Sequence, residues 1–275
     1  MSDLRVEVDG AIALWTIDRA GGRNTIGGTL LADLLAAAEE AAADDRIRVV
    51  VTVAEGANWC AGADLADLDA HLGTPLPDLL HGHDVGGEKG LPLLTGAARR
   101  LDRLGIGRWV LAFRALEKPL LAGVEGAAAG GGLALLALHD VRIASEAARF
   151  TSGFANAGLG PEMGLSWFLP RLVGSGHAAD LLLTGRVIDA AEAQRVGVVQ
   201  RVVPAGRAAE EALAYAGRLA RVPALAAQAT VAALRASPER TLEAQLELEW
   251  TNQCRCFGSE ETQRCLRELM SREKA

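Results

Sequence analysis

Short apolar segments alternate with a long amphipathic one at the start of the chain. Residues 4–8 and 11–17 alternate apolar and polar positions, and the DG dipeptide at 9–10 between them predicts a β-hairpin. Residues 27–43 carry apolar residues at three- and four-residue spacing among strong helix formers, which predicts a helix. Residues 47–53 are nearly all apolar, as in a strand covered on both faces. Strand, helix, strand in this order is typical of a parallel sheet with a right-handed crossover.

The pattern changes in the middle of the chain. Residues 72–100 are rich in glycine and proline and have little apolar periodicity, so we predict a long loop insertion there. Strands are predicted again at 120–124 and 141–144. Between them lie a small-residue turn at 126–132 and an apolar segment at 133–138.

The last seventy residues differ in character from the rest. Segments 207–219, 223–236 and 239–253 are rich in Ala, Leu, Glu and Arg, which predicts amphipathic helices with few strands among them. We therefore expect an α/β core over residues 1–204 and an α-helical region over residues 205–275. These helices are expected to pack on the core or on another subunit.

Composition restricts the function class. Half of the 275 residues are hydrophobic and 23% are charged, which excludes a disordered chain. Only 4% are aromatic and the net charge is −7, which argues against nucleic acid and anionic membranes as partners. No apolar run is long enough for a membrane-spanning helix, and the acidic residues within 1–10 do not suit a signal peptide.

The four cysteines do not suggest a disulfide framework or a metal site. Cys60 is isolated, while Cys254, Cys256 and Cys265 are crowded near the C-terminus without a second ligand pair at zinc spacing. We therefore expect a soluble cytoplasmic protein without a bound metal.

Two glycine-bearing turns follow predicted strands. One is NWCAGADL at 58–65, and the other is GAAAGGG at 126–132, which opens a helix. Glycines let a backbone approach a ligand closely, and the free N–H groups at a helix start stabilise an oxygen that gains negative charge. A tight turn without any ligand explains the same glycines. No GxGxxG or Walker lysine is present, so a dinucleotide or P-loop site is not supported.

These segments, together with others in the same order, resemble the crotonase (enoyl-CoA hydratase/isomerase) superfamily. The resemblance spans roughly residues 4–205, lapses in the 72–100 insertion and is weaker in the helical tail. The matching segments are WCAGADL (59–65), KPLLAGVEG (118–126), GGG (130–132), HDVRIA (139–144), ARF (148–150), GLGPEMG (158–164), LTG (183–185) and GVV (197–199).

The resemblance implies a fold, a ligand and a set of site residues. The fold would be α/β, a spiral of β-β-α repeats with C-terminal helices that build homotrimers or hexamers (dimers of trimers). The ligand would be an acyl-CoA thioester, with no cofactor besides the coenzyme A of the substrate. Its carbonyl oxygen would lie between the backbone N–H groups of Ala63 and Gly131, an oxyanion hole. The residues expected to bind the substrate are Ala61, Asp64, Leu65, Gly130 and Phe154.

The carboxylates indicate which reaction to expect. Family hydratases use two glutamates, and the corresponding positions here are Ala134 and Phe154, which cannot transfer a proton. Glu162 lies where family isomerases carry a single catalytic Glu or Asp, and a double-bond shift needs only one base. We therefore expect an isomerase with Glu162 as acid and base. The apolar residues expected to desolvate this carboxylate are Leu133, Phe154, Leu159, Leu165 and Trp167.

Other interpretations stay open. Glu162 could instead cap the next helix, since Pro161-Glu162 suits a first turn. The same oxyanion site would also serve hydration with Glu162 positioning water, thioester hydrolysis, or acyl-CoA binding without catalysis.

The remaining polar candidates are weaker. Asp64 is expected to be mainly structural, and Asp140 to cap a helix or pair with Arg142. The HGHD segment at 81–84 and Glu88 are expected to be solvated, although such an insertion could fold over the acyl group.

Overall fold

A computed structural model describes residues 2–19, 21–64, 69, 72–73 and 106–272. Almost all of the predicted 72–100 insertion lies outside these residues. Leu65, the 81–84 segment and Glu88 lie outside them as well.

The described chain contains strands and helices in alternation up to residue 203 and helices after it. The strands are β1 (Leu4–Asp9), β2 (Ile12–Ile17), β3 (Val49–Ala54), β4 (Leu120–Val124), β5 (Ala127–Ala129), β6 (Val141–Ser145), β7 (Arg149–Thr151), β8 (Ile188–Asp189) and β9 (Arg201–Val203). The helices are α1 (Leu30–Ala43), α2 (Gly107–Arg114), α3 (Gly131–Ala137), α4 (Leu165–Thr184), α5 (Ala190–Val196), α6 (Ala208–Leu219), α7 (Ala224–Ala236), α8 (Leu242–Phe257) and α9 (Glu260–Arg272).

Six strands form the main sheet, in the order β1-β2-β3-β4-β6-β9. The predicted hairpin is confirmed, because β1 and β2 pair antiparallel with Asp9 opposite Ile12. The next four pairings, from β2 to β9, are all parallel. The predicted parallel sheet is therefore confirmed. β3 and β4 are buried almost throughout, as their continuous apolar sequence requires.

A second sheet contains three strands in the order β5-β7-β8. Its first strand, β5, lies in the segment predicted as a plain turn. That prediction was wrong for residues 127–129, which form β5. Three alanines have little strand propensity of their own. They are held extended by parallel pairing with β7 and by a bridge between Ala128 and Cys60. Such long-range pairing leaves no local pattern in the sequence.

The sheet is covered on both faces. A large hydrophobic cluster joins the sheet to α1, α2, α3 and α4. A smaller cluster joins β3, β4 and β6 to Ala212 and Ala216 of α6, and both alanines are fully buried. The first helix of the predicted C-terminal region thus packs on the core sheet.

Two charged contacts attach the later helices to the core. Arg235 of α7 forms an ion pair with Asp140 at 2.7 Å and donates to the carbonyl oxygens of Leu116 and Lys118. Glu261 of α9 pairs with Arg48 at 2.5 Å. The expected pairing of Asp140 with Arg142 is therefore wrong. The buried Arg142 donates instead to the carbonyl oxygens of Val198 and His139.

Candidate active site

The two glycine turns come together in space. A Cβ atom on Gly62 would lie 2.6 Å from the Ala129 carbonyl oxygen and 3.5 Å from the Gly131 nitrogen. Gly62 also has φ +87°, a conformation that favours glycine. The pairing of Cys60 with Ala128, described above, holds the two segments in this register. The main chain around Ala63 therefore lies beside the start of α3.

The backbone of Ile26 fixes the orientation of Ala63. The Ile26 amide donates to the Gly62 carbonyl oxygen at 2.6 Å, and the Asp64 amide donates to the Ile26 carbonyl oxygen at 3.1 Å. Ala63 lies between these two bonds, so its own N–H group points away from Ile26. The Ile26 Cδ1 atom reaches the other turn, 2.7 Å from where a Cβ of Gly131 would lie. Ile26 thus contacts both candidate oxyanion donors.

Gly130 and Gly131 begin α3. Gly130 caps the helix with φ 54° and ψ −122°, a combination open to glycine and costly for any other residue. Its carbonyl oxygen accepts the first helical bond, from the Ala134 amide at 3.1 Å. The Gly131 amide lies in the first turn, where helical geometry supplies no acceptor.

The Ala63 and Gly131 amides are the two candidate oxyanion donors. Within the described part of the chain, neither N–H group has a hydrogen-bond acceptor. Two such donors on neighbouring segments, one of them at a helix start, can hold an oxygen that becomes negatively charged. The structure therefore brings together the two residues that the sequence predicts as the oxyanion hole.

Glu162 is connected to the candidate oxyanion hole through the next residue along the chain, Met163. Met163 has φ +53° and is only 2% exposed. Its sulfur lies 3.3 Å from where a Cβ of Gly131 would lie, so Met163 packs against one oxyanion donor and is bonded to Glu162. Glu162 does not lie in the first turn of α4, because the residue that caps that helix is Gly164. The alternative interpretation of Glu162 as a first-turn residue is therefore wrong.

The predicted apolar enclosure of Glu162 is not what the structure shows. The Glu162 side chain is exposed, and Leu159 is 50% exposed. Leu133, Phe154 and Leu165 are buried in the large hydrophobic cluster, with Trp167 packed at its edge. These side chains are part of the hydrophobic core. The described residues therefore leave the Glu162 side chain exposed.

Asp64, next to the Ala63 donor, is part of a polar network. Its carboxylate lies 2.9 Å from an Arg19 guanidinium nitrogen and accepts a hydrogen bond from the Thr25 hydroxyl at 3.2 Å. Arg19 also contacts Asp3 at 3.7 Å, which joins this network to the N-terminal strand. The network connects Asp64 to Arg19 and Thr25, and the role of Asp64 in substrate binding stays a prediction. It also places a cation close to the candidate oxyanion hole.

The other predicted substrate-binding residues lie near the two turns. The Ala61 amide donates to the Arg23 carbonyl oxygen, and Gly130 caps α3 as described. Phe154 is 9% exposed and Ala134 is fully buried. Neither of these two side chains, at the positions of the hydratase glutamates, has a group that can transfer a proton. Leu65 lies outside the described residues.

Two buried titratable groups adjoin the glycine turns without offering chemistry. Burial raises the pKa of the Cys60 thiol to about 11, which leaves it protonated and unreactive. Burial lowers the pKa of His139 to about 4, and its ring nitrogens bond to the Leu135 carbonyl oxygen and the Thr52 hydroxyl. Neither group is a candidate acid or base at neutral pH.

Sequence reasoning missed Ile26 and Met163. The interpretation rested on glycines and carboxylates, and both of these residues act through packing and backbone conformation. Nothing in the sequence around Met163 signals a left-handed conformation, since such positions usually hold Gly, Asn or Asp.

No metal centre and no membrane segment accompany this site in the described ranges. There, no three His, Cys, Asp or Glu side chains cluster in a way that could hold a metal ion. None of the helices seen in that part of the chain is long and apolar enough to cross a bilayer.

Known proteins resemble this chain in sequence and in fold. Residues 105–275 match the family model described as "Enoyl-CoA hydratase/isomerase". A probable enoyl-CoA hydratase of Rhizobium meliloti is 33% identical over 99% of this chain and 96% of its own length. The 1,2-epoxyphenylacetyl-CoA isomerase of Escherichia coli is 30% identical over 88% of this chain and 85% of its own length. The crystal structure of a putative enoyl-CoA hydratase from Streptomyces coelicolor superimposes with a TM-score of 0.84 at 31% identity, covering 98% of this chain and 92% of the other.

Proposed function

Because the chain belongs to the enoyl-CoA hydratase/isomerase family, we propose that it is an enzyme that shifts a double bond in an acyl-CoA thioester through an enolate. The family membership and the crotonase-type α/β fold expected from the sequence are both confirmed. The reaction within the family is the step that this proposal adds. The choice of isomerisation rests on the lack of a carboxylate at positions 134 and 154. The enolate step is supported by the close approach of Gly62 to Gly131, which puts side by side two amides that have no acceptor among the described residues.

The thioester carbonyl oxygen would accept hydrogen bonds from the Ala63 and Gly131 amides. Removal of a proton from the α-carbon turns this oxygen into an enolate oxygen. Two fixed donors and the positive end of α3 stabilise the enolate more than the ground-state carbonyl. One such donor contributes about 2.7–4 kcal/mol in a comparable oxyanion hole.

Glu162 would move the proton. Its carboxylate takes the proton from the α-carbon of a 3-enoyl thioester and returns it to the γ-carbon, so the double bond moves into conjugation with the carbonyl. One base suffices for this reaction, and positions 134 and 154 offer no second carboxylate. A bound acyl chain would cover the exposed Glu162 side chain and displace the water around it.

Hydration is the second candidate, and two observations favour it. The Rhizobium meliloti relative is named a probable hydratase, and the exposed Glu162 side chain is accessible to water. In that reaction Glu162 would direct a water molecule to the β-carbon of a 2-enoyl thioester. The oxyanion hole would have the same role in both reactions.

The decisive experiment offers the enzyme a 3-enoyl-CoA and crotonyl-CoA separately and follows the absorbance of the conjugated thioester. A gain from the 3-enoyl-CoA supports isomerisation, and a loss from crotonyl-CoA supports hydration. Exchange of α-protons in D₂O, followed over a small panel of acyl-CoA thioesters, reports enolate formation whatever the product. A chain that binds acyl-CoA without any exchange and without release of free coenzyme A would be a binding protein.

Glu162→Gln tests the base. It keeps the size of the side chain and removes its ability to accept a proton, so we expect turnover and exchange to fall by about 10²–10⁴-fold. Glu39→Gln, at an exposed position on α1, is the matched control and should behave as wild type. A Glu162→Gln enzyme with wild-type turnover would remove Glu162 from the mechanism.

Assembly and compartment are also part of the proposal. We propose a homotrimer, alone or paired into a hexamer, in the cytoplasm, with coenzyme A entering only as part of the substrate. Support for the assembly comes from α8, where Leu242, Leu246 and Trp250 lie at four-residue spacing and are 76%, 54% and 69% exposed.

A further inference from the structure

Met163 combines three features that are seldom found together. Its backbone is left-handed, with φ +53°, although methionine has a Cβ that disfavours this region. Its side chain is 2% exposed. It also separates Glu162 from Gly164, the left-handed residue that caps α4. A strained residue is kept in place only when the surrounding packing fixes it.

That packing involves the proposed oxyanion hole. The Met163 sulfur lies 3.3 Å from where a Cβ of Gly131 would lie, beside Ile26 Cδ1 at 2.7 Å from the same point. Met163 therefore contacts the residue whose amide is one of the two donors. Ile26 holds the other donor through its backbone bonds on either side of Ala63.

The backbone next to Met163 restricts the position of Glu162. The Glu162 carbonyl oxygen accepts the Leu165 amide at 3.0 Å, which ties the residue to the start of α4. Between that bond and the packed Met163 side chain, the main chain at Glu162 has little freedom. The carboxylate itself lies at the exposed side of this arrangement.

We propose that Met163 is a positioning residue that sets the distance between the proton-transferring carboxylate of Glu162 and the enolate oxygen held by Gly131. The inference rests on the function proposed above. The side chain of Met163 packs against the donor, and its backbone carries the base. Loss of that packing would leave both groups present but no longer fixed relative to each other.

Met163→Gly tests this directly. Glycine adopts φ +53° without strain, so the chain at this point can remain as it is, but nothing holds it there. We expect kcat to fall about 10–100-fold with KM within about twofold of wild type, because a displacement near 1 Å costs about that much in rate. Met163→Leu, which has a similar volume and the same backbone restriction, should retain kcat within about threefold.

Stability and turnover are measured on the same samples. A purely structural role would change the urea midpoint of Met163→Gly and leave the kcat of the folded protein unchanged, and that result would overturn the inference. Should Met163→Gly not fold, Met163→Ala removes the sulfur contact and keeps the Cβ, and the same fall in kcat is expected. Wild-type kcat in folded Met163→Ala would then overturn it.

Glu162→Gln, measured in parallel, separates this inference from the proposed function. Loss of α-proton exchange in Glu162→Gln with full activity in Met163→Gly would reject Met163 alone. Retention of exchange in Glu162→Gln, or no exchange in the wild type, would reject the proposed function and the role of Met163 with it. Loss of exchange in both, with recovery in Met163→Leu, is the result that supports both.

Discussion

Replacement of Gly62 by alanine offers a sharp test of the proposed oxyanion hole. Gly62 has φ +87°, so a residue with a Cβ there costs about 1–2 kcal/mol in backbone strain. The new Cβ would also lie 2.6 Å from the Ala129 carbonyl oxygen, well inside an ordinary contact. Relief of this clash requires the segments that carry Ala63 and Gly131 to move apart.

The cost of backbone strain and the effect of the steric clash can be separated with a matched variant. Gly206 has φ +78°, and a Cβ there would meet nothing within 4 Å. Gly206→Ala therefore carries the strain alone and should lower the free energy of unfolding by about 1–2 kcal/mol with normal turnover. Gly62→Ala should lower it further. Its kcat should also fall about 10²–10³-fold, which corresponds to the loss of one oxyanion donor at about 2.7–4 kcal/mol.

Urea unfolding with linear extrapolation gives the stabilities, and turnover of an acyl-CoA substrate is measured on protein confirmed to be folded. The contrast between the variants is the informative quantity. If Gly62→Ala and Gly206→Ala have the same kcat once stability is accounted for, then the approach of Gly62 to Gly131 does not position a catalytic donor.

Two further predictions concern stability and assembly. Burial lowers the pKa of His139 from its ordinary 6.5 to about 4. Between pH 6.5 and pH 4 the unfolded chain therefore binds a proton at His139 that the native chain does not. The free energy of unfolding should fall by about 3 kcal/mol over this range as the pH drops. The slope should be smaller in His139→Gln, and an unchanged slope in that variant would contradict the assignment. Trp250→Gln should shift the protein toward smaller species in analytical ultracentrifugation, whereas Glu247→Gln at an exposed position of the same helix should not. An unchanged sedimentation coefficient in Trp250→Gln would argue against α8 as a subunit contact.

The sequence predicts those elements whose signal is local. The hairpin, β3, β4, β6 and the helices α1, α6, α7 and α8 follow from the spacing of apolar residues within each segment. Their bounds agree to within a few residues, although α8 extends four residues beyond the predicted 253. β5 is missed because three alanines become a strand only through their partners in β7 and at Cys60. The last helix, α9, is missed because its apolar residues are sparse and its sequence is strongly polar.

The candidate site, like the fold, can be predicted from the sequence only in part. Glycines that the backbone conformation requires are visible in the sequence, so the turns at Gly62 and Gly130 follow from the residue pattern alone. The surroundings of Glu162 do not, because the sequence shows which residues are apolar but not which way they face. Leu133, Phe154 and Leu165 are buried in the core, whereas Glu162 is exposed. Met163 carries no signal at all, since its role depends on a conformation that its residue type disfavours.

The proposed site uses main-chain amides to hold the oxyanion and a side chain to transfer the proton. Because these groups are separate, the chain can lack both hydratase glutamates and keep the proposed oxyanion hole. The proposed donors are main-chain amides fixed by Gly62, Gly130 and the bonds of Ile26, so changes at positions 134 and 154 leave them in place. Each donor contributes about 2.7–4 kcal/mol, and a positioned acid–base group typically adds about 10²–10⁴-fold in rate, a comparable amount. A carboxylate can therefore be lost or moved to another segment while most of the enolate stabilisation is retained. In the proposed mechanism the acid–base carboxylate, Glu162, is connected to the oxyanion hole through Met163, so the position of that carboxylate relative to the substrate would decide which reaction follows.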